Sequence, residues 1–260
     1  MSDYRTSPEG PMAEREKNQS IERAIAVLRI VSDARTEPNL SEIIAVSGLA
    51  KTIVLRIVST LVAERMLERI PENGRYRLGS GLIEMAHLAL ARHPLLVRAS
   101  GLLEAIVKST GDIGLMMVPQ GRDALCIRRV EGTAPIATVG TRTGTRSPLH
   151  LGGGPFSILC FSPDDFVDEY LSGPIERRTA RSVIDPAQIR DRIAEGRERG
   201  YVIGNEDLFE YVVAIGIPVF DSDRRLLGSL SIGNINHRYP AERCTEIAQE
   251  FTALAKTLLG

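Results

Sequence analysis

The order of apolar and polar residues divides the chain into two parts with different periods. Up to about residue 110, apolar positions recur every three or four residues. In SIERAIAVLRIVSD, the residues Ile21, Ala24, Ile25, Leu28 and Val31 share one helical face, with Ser20 placed as its N-cap. A Pro38-Asn39 turn follows, then SEIIAVSG, which reads as a short helix capped by Ser41 and stopped by Gly48. In AKTIVLRIVSTLVAERML, Val54, Ile57, Val58, Leu61 and Val62 form the stripe, while Lys51, Thr52, Leu55, Arg56 and Ser59 lie largely off it. Two helices joined by a glycine-containing turn are the helix-turn-helix pattern. The next stretch, LERIPENGRYRLG, places Leu67, Ile70, Tyr76 and Leu78 around an Asn73-Gly74 step, which predicts a β-hairpin and makes the motif a winged one. Residues 80–110 return to helical spacing, with Leu82, Met85, Ala86, Ala89 and Leu90 in one segment and Pro94 opening another that carries Leu102, Leu103, Ile106 and Val107.

Beyond Asp112 the pattern shortens. IGLMMVPQ, ALCIRRVE, PIATVG, VVAIGIPVF and RLLGSLSIG are strand-like runs bounded by Gly, Asp or Pro. Helical stretches are expected between them, around 153–161, 163–171 and 186–199, and a last one runs from about Pro240 to Leu259. The mixture predicts an α+β fold whose second domain is built on a largely antiparallel sheet. The expected organisation is a winged helix-turn-helix over 19–79, a helical linker over 80–110 and a sheet domain over 111–260. The polar residues 1–18 lack a signal-peptide core and read as a mobile tail.

Composition adds limits. A hydrophobic content of 43% with 25% charged residues excludes wholesale disorder. Cys126, Cys160 and Cys244 are odd in number and far apart, which argues against a disulfide framework or zinc site and favours a reducing, cytoplasmic setting. No apolar run approaches the roughly 18 residues of a membrane span. His87, His93 and His237 have no partners at metal-ligand spacing, and no cofactor is expected. The net charge of −1 gives no global sign of a nucleic-acid partner, yet residues 51–80 carry six Lys or Arg against three Glu, a local +3. That charge is concentrated where a recognition helix and wing would meet phosphates. Thr52, Ile53, Leu55 and Arg56 would then reach base edges, Lys51 would sit at the helix N-terminus, and Arg75 and Arg77 would face the backbone from the wing. A helical hairpin with a solvated basic face is the competing reading.

The stretches QSIERAIAVLRIVSDA, LSEIIAVSGLAKTIVLRIVSTLVAERMLER and GRYRLGSGLIEMA resemble the N-terminal domain of IclR-type bacterial transcription regulators. The resemblance continues through GTRSPLH, ERGYVIGNED and AIGIPVFDSDRRLLGSLSI, from about Gln19 to Leu259. It implies a winged helix-turn-helix in which Ser41 joins the DNA-contacting residues, and a GAF-like effector-binding domain. It also implies homodimers, often paired as dimers of dimers, on palindromic double-stranded operators.

One segment decides between enzyme and sensor. PLHLGGGPFS places Gly152, Gly153 and Gly154 after His150. An HGGG-type oxyanion hole needs a G-x-S-x-G nucleophile, and the nearest approach, SLSIG, has Ser at the first position. A P-loop needs Gly-Lys-Ser/Thr, and Pro155-Phe156-Ser157 stands there instead. What remains is a helix N-terminus able to take an anion, or glycines that allow close helix–sheet packing. The resemblance puts these glycines in the wall of the effector pocket, with His150 on the adjoining turn. It places Ala214 where the family often has cysteine, and Ser231 and Gly233 where it has serines, while Tyr211 is an addition. Met116, Met117 and Arg129 lie on strands that can face that pocket, and Asn205, Glu206 and Asp207 read as turn-capping. The expected function is a ligand-responsive repressor of a catabolic operon that answers to a small carboxylate. An esterase using HLGGG and a sensor that does not bind DNA are the alternatives.

Overall fold

The computed structural model describes residues 18–134 and 140–259. The expected tail and the core of the expected strand PIATVG lie outside the described residues. Contacts divide the chain into two compact units, one ending at Ala89 and the other beginning at Leu90.

The first unit opens with α1 (Gln19–Asp33), α2 (Leu40–Ser47) and α3 (Lys51–Ala63). Both serine caps are corrected. Asn18 caps α1, accepting from the Ser20 and Ile21 amides, and Asn39 caps α2 in a reciprocal box with Glu42. Ser41 stands instead exposed in the first turn of α2. Gly48 ends α2 at φ +64, a backbone that L side chains rarely adopt, and α3 leaves at 119° to α2. The stripe assigned to α1 is also corrected, because Val27 and Val31 are its buried residues while Ile21 and Ile25 stay exposed. Val54, Val58 and Leu61 of α3 complete that core with Ile43. The wing is present as expected: β1 (Leu67–Arg69) pairs antiparallel with β2 (Tyr76–Leu78). Gly74 turns the chain at φ +68, and the Asn73 side chain accepts from the Arg75 amide. From there α4 (Ser80–Ala91) leaves with the preceding Gly79 pressed on the turn that follows α3, since a Cβ at Gly79 would lie 2.2 Å from the Arg65 carbonyl oxygen.

In the second unit, α5 (Pro94–Thr110) begins at Pro94 as expected, and the His93 ring caps it through the Leu95 amide. The strands β3 (Ile113–Gln120), β4 (Asp123–Val130), β5 (Arg146–Pro148), β6 (Val202–Asn205), β7 (Val212–Phe220) and β8 (Leu226–Ile235) form one antiparallel sheet. Their order is β5-β4-β3-β8-β7-β6. Strands β5 and β6 are additions to those the sequence pattern predicts. One sheet face packs on α5 and α9 (Ala241–Leu259) through Leu103, Met116, Ile215, Ile232 and Phe251. The other face carries α6 (Gly153–Cys160), α7 (Asp164–Ser172) and α8 (Pro186–Arg199) over Leu115, Met117, Phe156 and Ile193. The alternation Leu115, Met116, Met117 across the two faces is the period of two at work. Among the described residues no single helix is long and apolar enough to cross a membrane.

Candidate DNA-reading surface and effector cavity

In the first unit the buried stripe of α3 leaves a continuous outer face. Lys51, Thr52, Leu55, Arg56 and Ser59 are exposed on it, Ile53 is half-buried, and Leu55 keeps 42% of its surface in solvent. An exposed leucine between a threonine and an arginine at a helix start suits contact with base edges and thymine methyls. Arg56 also lines an open groove with Ser20 and Arg23 of α1, which puts a second cation beside it.

The wing cations behave differently. Arg77 lies alongside Glu68 on the facing strand, donating to both carboxylate oxygens at 3.0 and 2.9 Å. The pairing holds the Glu68 carboxyl below the usual carboxylate range. Arg75 donates to the Glu37 carbonyl and to Glu42 at 3.2 Å, tying the wing to α2. Arg65 pairs with Glu84. Among the described residues Lys51, Arg56 and Arg69 have no ion pair, so they and not Arg75 or Arg77 carry the uncommitted charge. Arg69 sits at the wing turn, its guanidinium 3.1 Å from where a Gly74 Cβ would be. Its charge was visible in the sequence, but the cross-strand pairing that singles it out was not.

In the second unit a small, partly open cavity of about 30 Å³ lies where α6 meets the sheet. Its floor is Gly152, Gly153 and Gly154 at the start of α6 and Gly204 of β6. Leu115, Met117, Val212, Ala214 and Pro155 are the apolar wall, while Thr141, Ser231 and Asp207 supply polar atoms. Leu208 and Phe209, from the loop between β6 and β7, complete the lining. Met117, Ala214, Ser231 and the three glycines are therefore brought together. The other three expected residues are not. Tyr211 is 65% exposed at φ +63, and Gly233 packs on Val213 and Ala214, beyond the lining. Arg129 turns to Glu131 and to the Thr141 carbonyl at 2.7 Å, behind a lining residue rather than in the lining. Leu115 and Val212 are readable as the alternate partners of Met117 and Ala214, whereas Thr141 and Gly204 carry no signal in the sequence.

The glycines differ in what constrains them. A Cβ at Gly153 would lie 2.6 Å from the Ala214 carbonyl oxygen, and one at Gly216 2.0 Å from the Gly153 oxygen, so helix and strand approach backbone to backbone. A Cβ at Gly154 would instead meet Met117 Sδ at 2.7 Å, across the cavity. Helix α6 starts without a side-chain cap. Its leading amides have no partner within the helix and Pro155 has no N–H, so the amides of Gly153 and Gly154, both lining residues, depend on partners from outside the helix. The histidine of the HLGGG run lies outside the lining. His150 is fully buried, with Nε2 against the Glu176 carbonyl at 2.8 Å and Nδ1 against the Tyr170 hydroxyl at 2.7 Å. A carbonyl only accepts, so Nε2 carries the proton and the Tyr170 hydroxyl donates to Nδ1. Burial holds the His150 pKa below its ordinary value. No group of His, Cys, Asp or Glu among the described residues could hold a metal.

A winged helix with free cations on one face, in a chain whose other unit closes a small cavity, defines a DNA-binding regulator that senses a small molecule. The comparisons with known proteins agree. The profile described as bacterial transcriptional regulator IclR C-terminal matches residues 87–258, and that of the IclR helix-turn-helix domain matches residues 20–71. The chain is 26% identical to the HTH-type transcriptional regulator KipR of Bacillus subtilis, covering 90% of this chain and 93% of that one. It is 29% identical to the glycerol operon regulatory protein of Streptomyces griseus, covering 82% and 84%. Among solved structures it resembles an IclR transcriptional regulator from Alicyclobacillus acidocaldarius at TM-score 0.80, with 22% identity and coverage of 94% and 100%. An IclR homologue from Microbacterium hydrocarbonoxydans, complexed with 4-hydroxybenzoate, gives TM-score 0.80, 24% identity and coverage of 93% and 99%. This chain belongs to the IclR family of bacterial transcriptional regulators.

Proposed function

We propose that this regulator represses a catabolic operon, reads its operator through α3, and releases it when a small organic acid enters the cavity at the start of α6. The observation that carries the reading is that cavity, lined by the uncapped start of α6 on one side and apolar side chains on the other. A carboxylate suits the amides and the positive end of the helix, and a short apolar body suits Met117, Ala214 and Leu115. On the DNA side, Thr52, Ile53, Leu55 and Arg56 read bases, and Lys51, Arg69 and Ser41 approach phosphates. Arg75 and Arg77 hold the wing in shape while adding to its field.

A palindromic operator requires two copies of the reading head. Exposed apolar side chains on α4 (Ile83, Met85, Leu88) and α1 (Ile21, Ile25) are the surface a second copy would cover, which supports a homodimer or a dimer of dimers. The second unit is a sensor without catalysis. Both His150 nitrogens are occupied and Ser157 Oγ is buried without a hydrogen-bond partner, so nothing activates a nucleophile in the HLGGG segment. Burial pushes Cys126 up to about 11 and Cys160 to about 12, which keeps both thiols protonated and inert.

The test is a gel shift with the DNA flanking the protein's own gene, repeated with a panel of neutral and acidic metabolites. Sequence-selective binding released by an acid is expected. Binding that no compound alters, or no binding at all, refutes the reading.

A further inference from the structure

The polar end of the cavity already holds a carboxylate, and it belongs to the protein. The Asp207 side chain is 4% exposed; its Oδ1 accepts from the Gly152 amide at 2.9 Å and its Oδ2 from Arg192 Nη2 at 3.1 Å. Arg192 stands behind Asp207, outside the cavity lining; it lies on the Phe156 ring at 4.4 Å, and its Nη2 also donates to the Ile203 carbonyl at 3.3 Å. Its other amino group, Nη1, is buried with no hydrogen-bond partner among the described residues. A guanidinium fork matches a carboxylate through two parallel N–H groups, and Asp207 satisfies only one of them.

The space is also narrow as it stands, about 30 Å³, room for a few waters. Leu208 and Phe209 help to fill it, and they sit on the loop that carries Asp207. That loop lies between Glu206 at φ +57 and Tyr211 at φ +63, two side-chain-bearing residues in the left-handed region. Thr179 Oγ1 and Ser182 Oγ donate to the carbonyls of Glu206 and Asp207, both at 2.7 Å, which fixes the near end of the loop.

We infer that Asp207 is a tethered stand-in for the effector's carboxylate. The incoming acid takes Arg192 Nη1 and Nη2 together with the Gly152 amide, Asp207 swings away, and residues 208–210 carry Leu208 and Phe209 out of the cavity. The exchange is a replacement, not an addition, because two buried carboxylates facing one guanidinium repel each other. Arg192 thereby becomes an effector-binding residue and Asp207 the residue that sets the threshold for acids. The inference rests on the reading that the cavity accepts a small organic acid.

Calorimetric titration of the full-length protein with acetate, benzoate and 4-hydroxybenzoate tests it. Asp207→Asn keeps the shape and gives up the ion pair, so it should bind at least one of these acids about tenfold more tightly than the wild type. Leu208→Ala, which loosens the loop without touching the ion pair, should also bind more tightly, and Arg192→Gln should lose binding at least tenfold. In the ligand-free proteins, amides of residues 206–212 should exchange faster in Asp207→Asn than in the wild type. Equal or weaker acid binding by both Asp207→Asn and Leu208→Ala overturns the stand-in, as does unchanged binding by Arg192→Gln. Acids bound by none of the proteins overturn it as well; if a neutral compound then still released the operator, the sensor reading would survive without this site.

Discussion

Gly153 and Gly154 are neighbours in the chain, yet what constrains them differs, and substitution separates the two roles. A methyl group at 153 meets the backbone of Ala214, which cannot yield without lifting α6 off the sheet. Gly153→Ala should therefore cost about 1–3 kcal/mol in thermal or urea unfolding of the second unit. A methyl group at 154 meets the end of the Met117 side chain, which can move, and lies 3.1 Å from Ser231 Cβ, which must give by a few tenths of an ångström. Gly154→Ala should unfold within roughly 1.5 kcal/mol of the wild type and still bind operator, but respond to the effector at several-fold higher concentration. Equal losses of stability at both positions would contradict this division. The triple glycine was legible as a place of close approach, whereas the assignment of each glycine waited on strands far along the chain. His150 was less legible. Its sequence position beside the glycines points to the cavity, but Tyr170 and Glu176 draw it inward. Its pKa is lowered by burial, so the folded state binds fewer protons than the unfolded one below about pH 6.5. The stability it contributes is complete above that pH and is lost as pH falls toward the folded value. A melting-temperature profile from pH 8 to 5 should therefore decline on the acid side, and His150→Gln should flatten that decline.

At the scale of elements, period established which segments are helices but not how each is rotated. In α1 the apolar residues are frequent enough to support two faces, and the chosen stripe included Ile21 and Ile25, which stay in solvent while Val27 turns inward. Serine is a good cap acceptor, but at both helix starts an asparagine stands two residues upstream and takes the amides instead. Strands β5 and β6 are too short for alternation to register, and both are sheet edges. In α3 the expected outer face is the exposed one, with Leu55 the apolar residue on it. That makes the charge pairing of α3 and the wing the useful discriminator. Arg56 has no ion pair among the described residues, while Arg77 is held by Glu68 through two hydrogen bonds. Arg56→Ala should weaken operator binding and lower the slope of log Kobs against log salt by about one unit, whereas Arg77→Ala should change the slope by less. Equal slopes for both variants would mean that the wing pair opens on DNA and that its geometry here does not govern the complex.

For the whole molecule, the two cores matter more than any single contact. One is built from Val27, Ile43, Val54, Val58 and Leu67, and the other from the two faces of the sheet. Each core is closed by its own residues, and the Asn39–Glu42 box and the His93 cap are likewise made within one unit. Such a chain should not unfold as one cooperative block. Scanning calorimetry should show two transitions, and each ligand should act on one of them. An acid effector at one hundred times its Kd should raise the free energy of unfolding of the second unit by about 2.7 kcal/mol, and saturating operator DNA should raise the first by a similar route. The informative case is both ligands together. If the effector disfavours the DNA-bound arrangement, linkage requires DNA to disfavour the effector by the same factor, so the two stabilisations must fall short of their sum by one shared coupling energy. Additive shifts would mean that cavity and reading head do not communicate, and that an acid in the cavity, however well bound, is not the signal.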